Sequence, residues 1–364
     1  MDVKLSNVKQ VVLCRTQRTR WWRAAPREAL DACAAAAGVA TGALRCQRLI
    51  HVGKSVLVHV VARPDLGAGY VVKFPSDDKA QEDWCPANEY EGFNCAYERL
   101  SDQDEFGAIQ PVGLGRDPKF LVTEYCPGTS ALGLFDSAVA SRSGRGMRQA
   151  AETAFRMGRW LRCFRGAPVE AEPGQLEPWR QTMRDLAEML VGAVTERDAD
   201  RVRTTRESAL DAIRQNCTNG EYRPARGDLA PQNFQIGPDG KLYALDFEGF
   251  GWDAVERDAV AFRIRMERYG TAGAVARQRA TEFWQSFCKG YLVEFDRAEA
   301  ALTLAYLAGL AQRLTRFAAA PPRHHSALDR LRRTRPNWGE QRLEWLRSYA
   351  QAGTDSRRFF FETL

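Results

Sequence analysis

Between residues 45 and 75 the chain alternates branched apolar runs with polar breaks: RCQRLI (45–50), VLVHVVA (56–62) and YVVKFP (70–75), interrupted by HVGKS and RPDLGAG. Runs of strand length set apart by glycine- and proline-bearing turns predict consecutive antiparallel strands. Upstream, PREALDACAAAAG (26–38) predicts a helix opened by proline and closed by Gly38. Downstream, ANEYEGFNCAYERLSD (87–102) places Tyr90, Phe93, Tyr97 and Leu100 at helical spacing, and KFLVTEYCPG (119–128) predicts a strand running into a Pro-Gly turn. SAVASRSGRG (137–146) has the composition of a flexible connector.

After residue 146 the period changes to that of helices. MRQAAETAFRMGRWLRCFRGA, LEPWRQTMRDLAEMLVGAV, ATEFWQSFCKGYL and ALTLAYLAGLAQRL all repeat their apolar positions near 3.6 residues. One β island stands among them, FQIGPDGKLYALDFEG (234–249), in which FQI and KLYALDF flank a PDG turn. A small antiparallel sheet followed by a large helical region that carries a hairpin predicts an α+β fold in two layers.

Composition adds limits. The 364 residues, 45% hydrophobic and 27% charged, can fill a core and suit one large two-lobed protein or two medium domains. The net charge of +6 is unevenly placed, with nine Lys/Arg against three Asp/Glu in residues 1–50 and an arginine-rich stretch beyond 320. Solvated surface arginine accounts for this bias, so no nucleic-acid partner is expected. Trp21-Trp22, set among arginines, could stack on nucleic acid but are read as a packed N-terminal extension, and His324-His325, after Ala-Pro-Pro, as part of a loop and not as metal ligands. The nine cysteines (Cys14, Cys33, Cys46, Cys85, Cys95, Cys126, Cys163, Cys217 and Cys288) are odd in number and scattered, with no C-x-x-C, which suits a reducing compartment. The N-terminus has no apolar signal segment and no stretch reaches about 18 uninterrupted apolar residues, so a cytoplasmic chain without a membrane span is expected. That expectation weakens the adhesion reading of Arg226-Gly227-Asp228, which needs a secreted protein.

The polar residues inside these apolar patterns carry the chemistry. Gly227-Asp228-Leu229 and Asn233 have the D-x-x-x-x-N spacing of a phosphoryl-transfer loop, in which Asp228 would accept a hydroxyl proton and Asn233 would offer an amide oxygen to a magnesium ion. Asp246 in LDFEG, flanked by Leu245 and Phe247, would be the second metal ligand, because a carboxylate there is costly unless a cation meets it. Lys73 lies inside an apolar strand and needs a carboxylate partner; Glu89 on the next helix is the candidate and Glu91 its competitor. HVGKS, with Gly53, Lys54 and Ser55, is either a plain hairpin turn or a loop covering phosphates; it lacks the upstream glycine of a Walker A sequence. Glu124-Tyr125-Cys126 fall where two lobes would join, and their backbone would meet the adenine. Asp253 and Glu256, just after the strand of Asp246, could reach an acceptor but are read first as surface residues.

These residues, in this order, resemble the aminoglycoside phosphotransferase/choline kinase group of the protein-kinase-like fold. The group carries H-G-D-L-x-x-x-N, then I-D-F/W-x, then an aspartate on the next helix; the matching positions are Gly227-Asp228-Leu229, Asn233, Leu245-Asp246-Phe247-Glu248 and Asp258 in ERDAVAF. YVVKFP followed by NEY (88–90) is also similar to the strand and helix of HipA-like kinases, which favours Glu89 as the partner of Lys73. The resemblance covers roughly residues 45–300. It implies a bilobal fold, with one helix in the sheet lobe and a larger helical lobe carrying the catalytic hairpin. It also implies ATP and Mg2+ as cofactors, a small-molecule hydroxyl acceptor, and Asp258 as support for the catalytic loop. The implied division is an N-terminal extension with a helix over 1–44 and a sheet lobe over 45–128 ending in a hinge. A helical lobe over 129–320 and an arginine-rich helical extension over 321–364 follow.

Two departures stand out. The group's histidine before the catalytic Gly-Asp is Arg226 here, so this residue must brace the loop differently, face substrate or phosphate, or mark lost activity. The glycine of a protein-kinase D-F-G is Glu248, and only eleven residues separate Asp246 from Asp258, too few for a regulatory loop. A small-molecule kinase is therefore the leading reading, with a HipA-like protein kinase and a nucleotide-binding pseudokinase as alternatives. Arg263, Arg265 and Arg268 cluster after Asp258 and lean the acceptor toward a sugar, a saccharide-linked compound or an anionic metabolite.

Overall fold

A computed structural model of the chain describes residues 25–52, 55–61, 69–76, 84–140, 144–167, 223–253, 257–270 and 273–291. The segments 176–194 and 301–314 read as helices, the 321–364 extension, Trp21-Trp22, Gly53, Lys54, Glu256 and His324-His325 lie outside the described residues. Among the described residues, those up to Gly133 together with Gln232–Gly251 form one compact unit, and those of Leu134–Pro231 with Trp252 onward form another.

The first unit starts with α1 (Arg27–Ala37), closed by Gly38 in the left-handed conformation. Strands β1 (Arg45–Val52), β2 (Ser55–Val61) and β3 (Gly69–Pro75) follow, then α2 (Pro86–Leu100), β4 (Phe106–Gly107), β5 (Pro111–Arg116), β6 (Lys119–Glu124) and β7 (Thr129–Ser130). Five of these strands form an antiparallel sheet in the order β1-β2-β3-β6-β5. Side chains alternate across a strand, so Val56, Val58 and Val60 of β2, Val72 and Phe74 of β3, and Phe120 and Val122 of β6 share one buried face. Removing each from water contributes about 1.5–3 kcal/mol.

That face is covered by α1, through Ala29, Cys33 and Ala34. The helix assigned from sequence to an N-terminal extension is therefore core material of this unit. Its small side chains let it lie close, and a Cβ added to Gly113 of β5 would come 2.9 Å from the Ala32 Cβ. The strand β5, PVGLGR, escapes a sequence reading because proline and two glycines hide its propensity; pairing with β6 holds it.

The second unit carries α3 (Ala131–Ala140) from Leu134 onward, α4 (Gly144–Arg165) and β8 (Arg223–Ala225). The connector expected at 137–146 is helical wherever it is described. Phe135 and Ala138 of α3 are fully buried, and Arg279 donates to the Ala138 and Val139 carbonyls at 2.8 and 2.7 Å, satisfying the helix end. The chain then returns to the first unit as the hairpin β9 (Phe234–Ile236) and β10 (Leu242–Ala244). This hairpin groups with the sheet unit because its outer neighbours are β7, paired with β9, and β4, parallel to β10. Back in the second unit from Trp252 onward, β11 (Gly251–Asp253) pairs with β8, and α5 (Arg257–Gly270) and α6 (Ala274–Tyr291) complete the described helices and strands. Here α4 and α6 touch backbone to backbone: a Cβ on Gly158 would lie 2.2 Å from the Phe287 carbonyl oxygen. Phe262, Trp284 and Phe287 stack in the core. No helix among the described residues is long and apolar enough to cross a membrane.

Candidate active site

In the first unit, the alternation that sends Val72 and Phe74 toward α1 sends Lys73 to the opposite face of the sheet. Lys73 is 9% exposed, and its ammonium donates to both oxygens of Glu89, at 2.8 Å to Oε2 and 3.0 Å to Oε1. It also reaches Asp246 Oδ1 at 3.1 Å and lies 3.6 Å from Glu248 Oε2. Burial alone would lower the pKa of this ammonium, but Glu89, Asp246 and Glu248 together raise it above its ordinary value, so Lys73 stays charged. Glu89 is 1% exposed and also accepts the Trp84 indole N–H at 3.1 Å. The Trp84 ring lies 5.5 Å below the Lys73 ammonium. Glu91 is exposed.

Asp246 takes φ 63, a left-handed backbone that a non-glycine residue holds at a cost of about 1–3 kcal/mol and that clusters at functional sites. The flanking residues hold it there. Phe247 packs edge-on against Phe93 of α2 at 4.8 Å, and a Cβ on Gly92 would stand 2.7 Å from the Phe247 Cβ. The Leu245 N–H donates to the Asn233 carbonyl at 2.8 Å, tying the two proposed oxygen ligands into one backbone segment. Magnesium is bound through one or two protein oxygens plus phosphates and water. The 44% exposed carboxylate of Asp246 and the amide of Asn233 suit that role by donor chemistry. Among the described residues no group of three or more His, Cys, Asp or Glu would hold a metal unaided.

Around the segment 124–126, the Glu124 and Tyr125 N–H groups are engaged by the Gln110 and Gly69 carbonyls, at 3.0 and 2.8 Å. Burial pushes the Cys126 thiol up to about 12, so it is a neutral group. Ser55 opens β2 opposite Val52; the side chains of Ser55, Asp253 and Arg268 lie outside what the structure describes.

In the second unit, Gly227 has φ 92, a conformation that favours glycine and turns the chain between Arg226 and Asp228. Asp258, fully buried in the first turn of α5, accepts the Arg226 N–H at 2.7 Å and the Gly227 N–H at 2.8 Å. Arg226 is fully buried, and its guanidinium donates to the Asp228 carbonyl. Arg226 thus folds back on its own loop. Asp228, 48% exposed at its side chain, meets Arg265 Nη2 at 3.2 and 3.3 Å through its two oxygens. Arg263 is fully buried with its guanidinium 5.4 Å from the Trp284 ring, so it is a core residue and no acceptor contact. That removes one member of the arginine cluster from the acceptor reading.

Asp258→Ala would leave two loop amides without their acceptor. The expected loss of stability is roughly 2–4 kcal/mol, read as a lowered denaturant midpoint. A midpoint change worth less than about 0.5 kcal/mol would show that the clamp is not needed.

Comparison with family models finds no match, and comparison with curated proteins finds none. Solved structures do match. The chain is similar to a glucosamine kinase in complex with glucosamine, ADP and inorganic phosphate, at 16% identity over 74% of this chain and 88% of that one, with a TM-score of 0.41. It is similar to a Plasmodium vivax ethanolamine kinase at 12% identity over 84% and 82%, TM-score 0.48. It is also similar to a mutant aminoglycoside phosphotransferase APH(4)-Ia in a ternary complex with ADP and hygromycin B, at 12% over 85% and 96%, TM-score 0.46. These neighbours are small-molecule kinases. At such scores the likeness carries no argument, and the site rests on this chain's own residues.

Three residues of the site had no specific signal in the sequence. Trp84 reads as an ordinary apolar residue, Glu248 as a missing glycine, and Arg265 as one of three nearby arginines.

Proposed function

We propose that this chain is an ATP-dependent phosphotransferase acting on a hydroxyl of a small molecule, a sugar, a saccharide-linked compound or another metabolite. The observation that carries the reading is Lys73, buried on a sheet face and bonded to both Glu89 and Asp246. A buried ion pair of this kind is seldom better for folding than apolar residues of the same volume, so its presence suits a role in chemistry.

In this reading Glu89 and Trp84 orient Lys73, which holds the α- and β-phosphates. Asn233 and Asp246 hold magnesium, which when bound neutralises charge developing on the phosphate oxygens. The backbone of Glu124–Cys126 meets the adenine, and Gly53 and Ser55 are the candidates to cover the phosphates. Asp228 accepts the proton of the acceptor hydroxyl as its oxygen bonds to the γ-phosphorus and ADP leaves. Asp258 and Arg226 hold the backbone of that loop. A cytoplasmic setting belongs to the same reading.

The test is ADP release across a panel of sugars, amino alcohols and nucleosides. Release should require both magnesium and an acceptor, and EDTA should abolish it. ATP binding without release for any member of the panel would sink this reading in favour of a pseudokinase.

A further inference from the structure

We propose that Arg265 is a positioning residue that also sets the charge at the acceptor end of the site. It holds the Asp228 carboxylate in place and cancels its charge, so the acceptor is a neutral or anionic hydroxyl compound and not a polycation. The word acceptor rests on the phosphotransferase reading; the charge pair does not.

One helix face supplies the contacts. Asp258 and Arg265 stand seven residues apart on α5, about two turns at 3.6 residues per turn, and so lie on one face of the helix. From that face Asp258 takes the loop amides of Arg226 and Gly227, and Arg265 takes both oxygens of Asp228. Arg226 adds a bond to the Asp228 carbonyl, so backbone and side chain of Asp228 are each held. Arg263, two positions earlier, is rotated by about 200° and packs into the core on Trp284. Arg265 instead meets Asp228 in the loop, and it keeps 23% of its side chain exposed beside an Asp228 that keeps 48%.

A pair this exposed adds little to folding. Its electrostatic consequence is larger. An ammonium approaching Asp228 meets an arginine already there, whereas a hydroxyl or a carboxylate meets no repulsion from the pair.

The test is binding by calorimetry at low salt, using kanamycin as the polycation and gluconate as the anion, on the wild type, Arg265→Gln, Arg265→Lys and Asp228→Asn. Arg265→Gln should bind kanamycin about tenfold tighter than the wild type, with the gap closing in high salt. Arg265→Lys should stay like the wild type. Asp228→Asn, which frees Arg265 from the carboxylate, should bind gluconate about tenfold tighter. Equal kanamycin affinity in the wild type and Arg265→Gln would overturn the proposal, as would Arg265→Lys behaving like Arg265→Gln. A purely structural Arg265 would lower the melting temperature without moving these ratios. If Arg265→Gln does not fold, gluconate binding to Asp228→Asn decides. Absence of ADP release from the wild type would sink the kinase reading separately, since these affinities need no turnover.

Discussion

Asp228→Asn is expected to lower acceptor-dependent ADP release by about 10²- to 10⁴-fold, the usual worth of a positioned general base. Nucleotide affinity should be unchanged, because Lys73, Glu89 and Asp246 are untouched. The variant should also fold normally. The amide has the shape of the carboxylate, and the bond from Arg226 goes to the backbone carbonyl of residue 228, which the substitution keeps. The pair with Arg265 is half-exposed, so its loss costs little. The measurement is steady-state turnover beside a thermal melt. Wild-type rates in the variant would end the assignment of Asp228 as the base. Lost turnover together with a collapsed melt would mean that the residue serves the fold.

The second large effect is on stability. Lys73→Met should destabilise the protein by about 3–5 kcal/mol and abolish turnover, because it leaves the buried Glu89 carboxylate without its cation. Burial already pushes the Glu89 carboxyl up, and Lys73 is the partner that opposes this most. The informative control is the double variant Lys73→Met/Glu89→Leu. Replacing both members of a buried pair by apolar residues is often neutral. The double variant should therefore regain most of the lost stability, less roughly 1–3 kcal/mol for the Trp84 indole left without its acceptor. Its turnover should stay absent. Recovery of activity with stability would show that the pair is only a core device. A Lys73→Met variant as stable as the wild type would contradict the burial seen for both groups.

Part of the candidate site is legible in the chain alone because it is local. Asp228 and Asn233 share one loop, and their spacing survives whatever the rest of the molecule does. Asp246 sits at the end of a hairpin whose PDG turn and short apolar strands are visible as letters. Lys73 announced itself as a charge inside YVVKFP, because strand alternation makes a lysine there expensive unless something pairs with it. The α+β class followed from the same periodicities, two residues for strands and 3.6 for helices.

Other parts needed the fold, since they depend on meetings between distant positions. Lys73 meets Glu89 across 16 residues and Asp246 across 173; no local pattern contains the second contact. Which face of α2 carries the partner is settled by packing, which buries Glu89 and leaves Glu91 exposed. Likewise β4 and β7, two residues each, exist only because the hairpin offers them edges to pair with.

What the sequence determined by itself was the residue types and their order: a lysine needing a partner, an Asp-to-Asn loop, a carboxylate after a hairpin, an arginine where a histidine was expected. Only the tertiary structure decided where that arginine goes. Asp258, 32 residues away, holds the Arg226 amide, and the fully buried guanidinium turns back to the Asp228 carbonyl. Only the fold, too, separated Arg263 from Arg265. The two are alike in sequence, but helical rotation points one at a tryptophan in the core and the other at the carboxylate of Asp228. The physical reason is common to all these cases. Dihedral preference and periodicity act between neighbours in the chain, whereas burial and charge pairing act between neighbours in space.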